Sequence, residues 1–129
     1  AEADTRFGAW MKRSLTLTDR DMFVSDEADG IQGYAISHPA TPLHFPTPHD
    51  ISGIGVIDDF FHHATEDPRK LGASSTTAAT LFSAAEAARA GRGNHSVLVV
   101  CPAIWQSKIR LLEQLGYHNA ITWHTRMVN

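Results

Sequence analysis

The feature that most constrains the fold is an apolar run, Ser-Val-Leu-Val-Val-Cys, at Ser96–Cys101. A strand that is apolar on both faces belongs in the middle of a sheet whose two sides are covered. The flanking segments Ser75–Ala90 and Ile104–Leu115 repeat apolar residues at spacings of three and four, which predicts helices. The three segments together predict a sheet covered by helices.

The other predicted elements follow from alternating or helical periodicity. Glu27–Gly30 has turn chemistry, with Gly30 free to adopt a positive φ, so it predicts a hairpin between the strands on either side. In chain order, the elements are a helix at Thr5–Leu15 and strands at Met22–Ser25, Ile31–His38, Ile51–Phe61 and Ala120–Val128. The complete order is α-β-β-β-α-β-α-β, which is typical of a mixed α/β or α+β fold.

Composition limits the classes of protein. A length of 129 residues with 43% hydrophobic residues predicts a single domain, 1–129, with its own core. The net charge of -3 argues against a nucleic-acid partner, and one cysteine excludes an internal disulfide framework. The apolar run from Val97 to Trp105 is broken by Pro102, so we expect no membrane span. The chain opens on no secretory segment, so we expect a cytoplasmic protein. It begins at Ala1 rather than Met, so we expect either a trimmed chain or a fragment.

Proline and glycine mark two further segments. Pro39–Asp50 holds four of the six prolines and predicts a loop. One hypothesis is therefore an unrelated α+β binding domain whose ligand pocket is shaped by this loop. Gly53 and Gly55 lie inside a predicted strand, where glycine often marks a bulge or the close approach of another backbone.

Asp58 and Asp59 are candidate general bases, because partial burial raises the pKa of a carboxyl group into a useful range. Neighbouring residues on a strand point to opposite faces, so only one of them is expected to face a given cleft. The alternative is that both are hydrogen-bonded or solvated aspartates at the end of a strand.

The segment before the Ser75–Ala90 helix is rich in hydroxyl groups. Free N–H groups at the start of a helix bind phosphate, and the side chains there could add donors. The alternative is that these hydroxyls only cap the helix. The residues concerned are Ser74, Ser75, Thr76 and Thr77.

Metal and thiol chemistry are not expected. The chain has eight histidines, but none stands in a metal-binding spacing, so we predict no metal site. Cys101 ends an apolar strand and is expected to be a buried, inert thiol.

The stretch from Ile57 to Tyr117 resembles the GNAT superfamily of acyl-CoA N-acyltransferases. Asp58-Asp59-Phe60-Phe61-His62 is similar to that family's strand with two acidic residues followed by an aromatic one. Leu111–Tyr117 is similar to its Leu-Tyr-Glu-Lys-Leu-Gly-Phe ending, and Gly33–Ile36 resembles its Val-Gly-Tyr strand. The resemblance implies a mostly antiparallel twisted sheet with flanking helices, in which the strands at Ile51 and Ser96 run parallel and splay apart.

The resemblance also implies acetyl-CoA as co-substrate and an amine on a small molecule or peptide as acceptor. Separately, aromatic residues such as Trp10 and Trp123 could form a homodimer interface, and core packing explains both equally well. The pantetheine arm would pair with the backbone of Phe60, Phe61 and His62, and a backbone N–H of this strand would meet the oxyanion. The pyrophosphate would meet the loop before the helix. In that loop, Arg69, Gly72 and Ser74 match the family pattern in part, and Ser75 and Thr76 follow. Asp58, Asp59 and His62 are the candidate bases.

The chain departs from the family pattern in its pyrophosphate loop, which matches poorly. It departs again at a shortened N-terminus, where we expect the family's first strand and first helix to be missing ahead of Thr5, and at two positions of the last helix. The tyrosine that often serves as general acid falls at Leu112, and the asparagine near the start of that helix falls at Trp105. Two interpretations follow. The first is an N-acetyltransferase that relies largely on positioning. The second is a catalytically silent GNAT-like module that binds a partner or dimerises.

Overall fold

A computed structural model describes residues 2–40, 50–69 and 75–128. Three helices and four strands lie along these residues, with a short 3-10 helix at His63–Thr65. In chain order they are α1 (Glu2–Ser14), β1 (Asp21–Glu27), β2 (Gly30–Pro39), β3 (Ile54–His62), α2 (Thr76–Gly91), β4 (Ser96–Val99) and α3 (Gln106–Gln114).

The strands form one sheet in the order β1-β2-β3-β4. The pairs β1/β2 and β2/β3 are antiparallel, whereas β3 and β4 are parallel, with Ile54 opposite Ser96 and Ile57 opposite Val99. The hairpin between β1 and β2 turns at Gly30, whose φ of 100° confirms the predicted left-handed position. The predicted mostly antiparallel α/β architecture is therefore confirmed.

The core lies between one face of the sheet and helices α2 and α3. Phe60 of β3 meets Phe82 of α2 edge to face, with ring centroids 4.7 Å apart. Around this pair the buried apolar side chains are Ala35, Ile57, Ala78, Leu81, Ala85, Leu111 and Leu112. Helix α1 contacts the opposite face, where the Phe7 ring lies 6.5 Å from the Tyr34 ring.

The far end of α2 is held to β1 by ionic contacts. Asp21 Oδ2 accepts hydrogen bonds of 2.7 Å from both Arg89 and Arg92. The Arg89 side chain is buried, and it passes over Gly55 of β3, where a Cβ atom would lie 2.5 Å from its Cδ. The prediction of a bulge or a backbone approach at Gly55 is wrong, because the group that lies against this glycine is the Arg89 side chain.

Two predictions about the C-terminal half are wrong. Residues 120–128 form no strand, and their apolar side chains Ile121, Trp123 and Met127 are exposed. Without that strand, β4 ends the sheet in the part of the chain that the structure describes, and it does not lie in the middle. Alternation alone cannot form a strand, because its backbone groups need a paired partner.

We expect Gly55→Ala to lower the free energy of unfolding by about 1–3 kcal/mol, because the new methyl group would overlap Arg89. Gly8→Ala is the matched control, since nothing lies within 4 Å of the added methyl on α1. Alanine at that helical position should raise stability by about 0.5–1 kcal/mol. Urea unfolding of both variants measures this, and equal stability of Gly55→Ala and the unsubstituted chain would contradict it.

Candidate functional site

The site is built around a β-bulge in β3. Ile36 of β2 is opposite Asp59, and the next residue, Ser37, is opposite Ile57, so Asp58 is the additional residue. A bulge of this kind bends the strand and redirects its side chains. Both aspartates therefore point to the same face of the sheet, where they meet side chains of β2. The expectation that they would point to opposite faces is wrong, because alternation fails where one strand contains an extra residue.

Each aspartate has a different partner on β2. Asp58 Oδ2 lies 2.9 Å from His38 Nε2, and the other ring nitrogen of His38 lies 2.8 Å from the carbonyl oxygen of Pro39. Asp59 Oδ1 accepts a hydrogen bond of 2.9 Å from the Tyr34 hydroxyl. The alternative of hydrogen-bonded aspartates at the strand end is correct as a description of these contacts.

Burial and these partners together shift the pKa values of two groups in the site. Burial raises the pKa of the Asp59 carboxyl group, and the nearby Asp58 adds to the rise, while the Tyr34 hydroxyl and Lys108 oppose it. The hydrogen bond to Asp58 raises the pKa of His38 against the effect of burial. Asp59 is thus a half-buried carboxyl group that holds a proton more readily than an exposed one.

The bulge also changes the other edge of β3. Val100 N donates to Ile57 O at 3.0 Å, which is the last backbone hydrogen bond between the two parallel strands. Beyond it β3 continues to His62, whereas β4 ends at Val99 and the chain turns at Pro102. Pairing between the two strands therefore ends there, and within residues 2–40, 50–69 and 75–128 no strand lies beside Asp58–His62 on that side.

Lys108 of α3 occupies this opening. Its Nζ donates to Phe60 O at 2.7 Å and lies 4.4 Å from the centre of the Phe60 ring and 4.5 Å from that of Trp105. In a regular strand, carbonyls that point to the same edge are two residues apart, yet Ile57 and Phe60 are three apart. The extra residue in the bulge accounts for the difference.

The N-terminus of α2 lies beside a cavity of about 420 Å³ between α2 and α3, a size in the range of small-molecule sites. The cavity is lined by Ser75, Thr76, Ala79, Leu111, Gln114 and Leu115. Ser75 is the N-cap, and its hydroxyl accepts the N–H of Ala78 at 3.1 Å, which confirms the capping role. Among the described residues, no group of three or more His, Cys, Asp or Glu side chains is placed to hold a metal ion.

His62 connects the end of β3 to α2. Its Nδ1 accepts the N–H of Ala64 at 3.1 Å, so a neutral ring carries its proton on Nε2, which lies 3.2 Å from Thr77 Oγ1. Burial lowers the pKa of this ring. The carbonyl of His62 accepts the Thr65 hydroxyl at 2.9 Å. His62 is therefore engaged in holding the site together.

The fold is shared with solved acetyltransferase structures. The aminoglycoside N-acetyltransferase AAC(6')-Iy in complex with CoA superposes with a TM-score of 0.65 at 13% identity, over 95% of this chain and 88% of that one. The chain has the GNAT fold. The aminoglycoside acetyltransferase meta-AAC0020 from an uncultured soil sample, in complex with sisomicin, is similar at TM-score 0.61 and 12% identity, over 94% and 74% of the two chains.

A structure that carries a different functional description has the same fold. A transcriptional regulator from Bacillus halodurans C-125 superposes with a TM-score of 0.63 at 17% identity, over 94% of this chain and 76% of that one. No protein-family model and no curated protein sequence matches this chain. The GNAT fold contradicts the hypothesis of an unrelated α+β architecture, whereas the ligand pocket of that hypothesis was placed at Pro39–Asp50, which falls largely outside the described residues. The parallel pairing of the two strands ends at Ile57 and Val99, as expected for strands that separate.

The predicted site residues fall into two groups within the GNAT fold. Asp58, Asp59, Phe60, Phe61 and His62 lie along the bulged strand, and Ser75 and Thr76 begin α2 beside the cavity. Arg69 is exposed in a turn, where its N–H donates to Asp67. Gly72 and Ser74, like the loop at 41–49, lie outside the described residues. In the ranges that are described, no helix is sufficiently long and apolar to cross a membrane.

Sequence reasoning missed four residues of the site: Tyr34, His38, Trp105 and Lys108. Trp105 was noted only for its position in the pattern, and its indole N–H donates to Thr65 O at 2.7 Å. The one available signal was Lys108 itself, a cation among the inward-facing positions of an amphipathic helix. Its contact with Phe60 spans 48 residues of sequence, so no local pattern could reveal it.

The His38–Asp58 pair predicts a pH dependence of stability. Because the folded pKa of His38 lies above its usual value of 6.5, the stabilisation is complete below that pH and is lost as the pH rises through the folded pKa. When the pH is raised from acid to alkaline, the free energy of unfolding should fall in the unsubstituted chain. We expect this fall to be roughly 0.5–1.5 kcal/mol larger than the fall in His38→Gln. Urea unfolding at several pH values measures this, and parallel curves for the two chains would refute it.

Proposed function

We propose that the chain is an N-acyltransferase that transfers an acetyl group from acetyl-CoA to an amine on a small molecule or peptide. The observation that carries the proposal is the divergence of β3 and β4 after Ile57 and Val99, next to a bulge with two carboxylates. An open strand edge binds an extended amide-containing chain by adding hydrogen bonds to main-chain groups. The solved acetyltransferases with the same fold support this proposal.

The described residues fit acetyl-CoA at two places. Phe60 O points into the opening, where it can accept a hydrogen bond from an amide N–H of a pantetheine arm. This requires that the Lys108 ammonium shares that oxygen or moves away from it. The N–H groups of the first turn of α2, which have no partner within the helix, suit a pyrophosphate, and the Thr76 side chain lies beside the cavity. Acetyl-CoA supplies the activated acyl group as a thioester.

Asp59 is the base that the geometry favours. An amine arrives protonated at neutral pH and must lose a proton before its nitrogen can attack. Asp59 is half-buried, its raised pKa suits proton acceptance, and its only side-chain hydrogen bond in the described chain is from Tyr34. Asp58 is already paired with His38, and His62 is buried and engaged, so both are weaker candidates.

We expect the chain to bind CoA and acetyl-CoA in calorimetric titrations. Ala79→Glu should weaken binding at least about tenfold, because it fills the cavity and places a carboxylate near the phosphates. Ala87→Glu is the matched control, since Ala87 is exposed on the same helix. Absence of binding by the unsubstituted chain up to millimolar CoA would refute the proposed function.

Asp59→Asn should lower kcat by about 100-fold and leave CoA affinity unchanged, because it removes the base and keeps the shape. The unsubstituted chain should gain activity as the pH rises through the raised pKa of Asp59, and the variant should not. Asp58→Asn is the control, and it should keep most of the activity. Thiol release with a panel of amines measures these rates. A larger loss of kcat in Asp58→Asn than in Asp59→Asn would show that Asp59 is not the base.

A second candidate is a catalytically silent GNAT-like module that binds a partner or dimerises. It is favoured by Lys108, which already donates a hydrogen bond to Phe60 O in the opening. It is also favoured by exposed apolar residues near the C-terminus. The apolar residues concerned are Ile121, Trp123, Met127 and Val128. Catalytic turnover of acetyl-CoA with any amine would reject this candidate.

A further inference from the structure

Lys108 has surroundings that are unusual for a lysine. Its ammonium lies between the rings of Phe60 and Trp105, at 4.4 and 4.5 Å from their centres, and donates to the main-chain carbonyl of Phe60. The described residues provide it with no ion pair. Aromatic faces and one neutral carbonyl hold a charged ammonium less firmly than a carboxylate does, because none of them carries a full negative charge.

Burial, and not the neighbouring charges, makes the proton of Lys108 easier to transfer. Burial lowers the pKa of the ammonium, and the titratable groups that oppose this are Cys101, in the segment after β4, and Asp59 on β3. Burial in turn raises the pKa of the Cys101 thiol. An ammonium with a lowered pKa gives up its proton more readily than an exposed lysine does.

We propose that Lys108 is the proton donor to the leaving sulfur in acetyl transfer, an inference that rests on the proposed function. Its Nζ lies in the opening just past the last hydrogen bond between β3 and β4, which is where the thioester is proposed to lie. Leu112, one turn further along α3, is apolar and buried in the core, so it supplies no proton.

The protons and electrons balance as follows. The amine nitrogen forms a bond to the acyl carbon, the carbon–sulfur bond breaks, and its electron pair goes to sulfur. Lys108 transfers one proton to that sulfur, which leaves as the CoA thiol. In becoming an amide, the acceptor ammonium loses two protons: one reaches water through Asp59, and the other replaces the proton given by Lys108.

Three lysine variants test this role. Lys108→Met removes the proton, whereas Lys108→Arg keeps a charge and donors for Phe60 O but holds its protons at any working pH. Both should lower kcat by about 100-fold, and neither should weaken CoA binding. Lys12→Met, at an exposed position on α1, should have no effect. The unsubstituted chain should lose kcat at alkaline pH as Lys108 loses its proton, and Lys108→Met should lack this loss.

Several results would overturn the inference. Full activity of Lys108→Met excludes proton donation, and rescue by Lys108→Arg shows that only the charge matters. Peptide mass spectrometry during turnover should find Lys108 unmodified. An acetylated Lys108 would show that it attacks the thioester as a nucleophile and is not the proton donor. Thiol release by the unsubstituted chain with normal activity of both Lys108 variants defeats this inference alone. Failure of the unsubstituted chain to bind CoA defeats the proposed function with it.

Discussion

The site depends on one constraint: β3 contains one residue more than the partner strand β2 can pair. Asp58 is that residue, and the bulge it forms bends β3 after Ile57. On the other side, β4 stops at Val99, and the chain turns at Pro102, which cannot donate to a ladder. A bent strand and a strand that ends cannot remain paired, so the sheet opens between them.

The same bulge separates two chemical environments on one strand. Toward β2 it presents two carboxylates, each held by a side chain of that strand, His38 and Tyr34. Toward β4 it presents a main-chain carbonyl, Phe60 O, which meets the cation of Lys108. Proton acceptance and proton donation are the two demands of acyl transfer to an amine, and the proposed function assigns the first to the β2 side of this bulge and the second to its β4 side.

Packing keeps these places in position. The Phe60 ring is locked against Phe82 of α2, so the strand cannot rotate without breaking the core. His62 fastens the end of β3 to the start of α2 through Thr77. At the opposite end of α2, Asp21 binds Arg89 and Arg92, and Gly55 leaves room for the Arg89 side chain. The helix that borders the cavity is thus fixed at both ends.

Periodicity, turn residues and the Asp-Asp-Phe-Phe motif by themselves determined the three helices, four of the five strands that were predicted, and the strand that bears the site. These signals are local, since each rests on neighbours within one or two turns of chain. Only the tertiary structure decided that both aspartates share a face, that Lys108 lies against Phe60 and that residues 120–128 remain outside the sheet. Register, bulges and long-range contacts depend on which segments meet in space, and pairing between distant segments leaves no periodic trace in either of them.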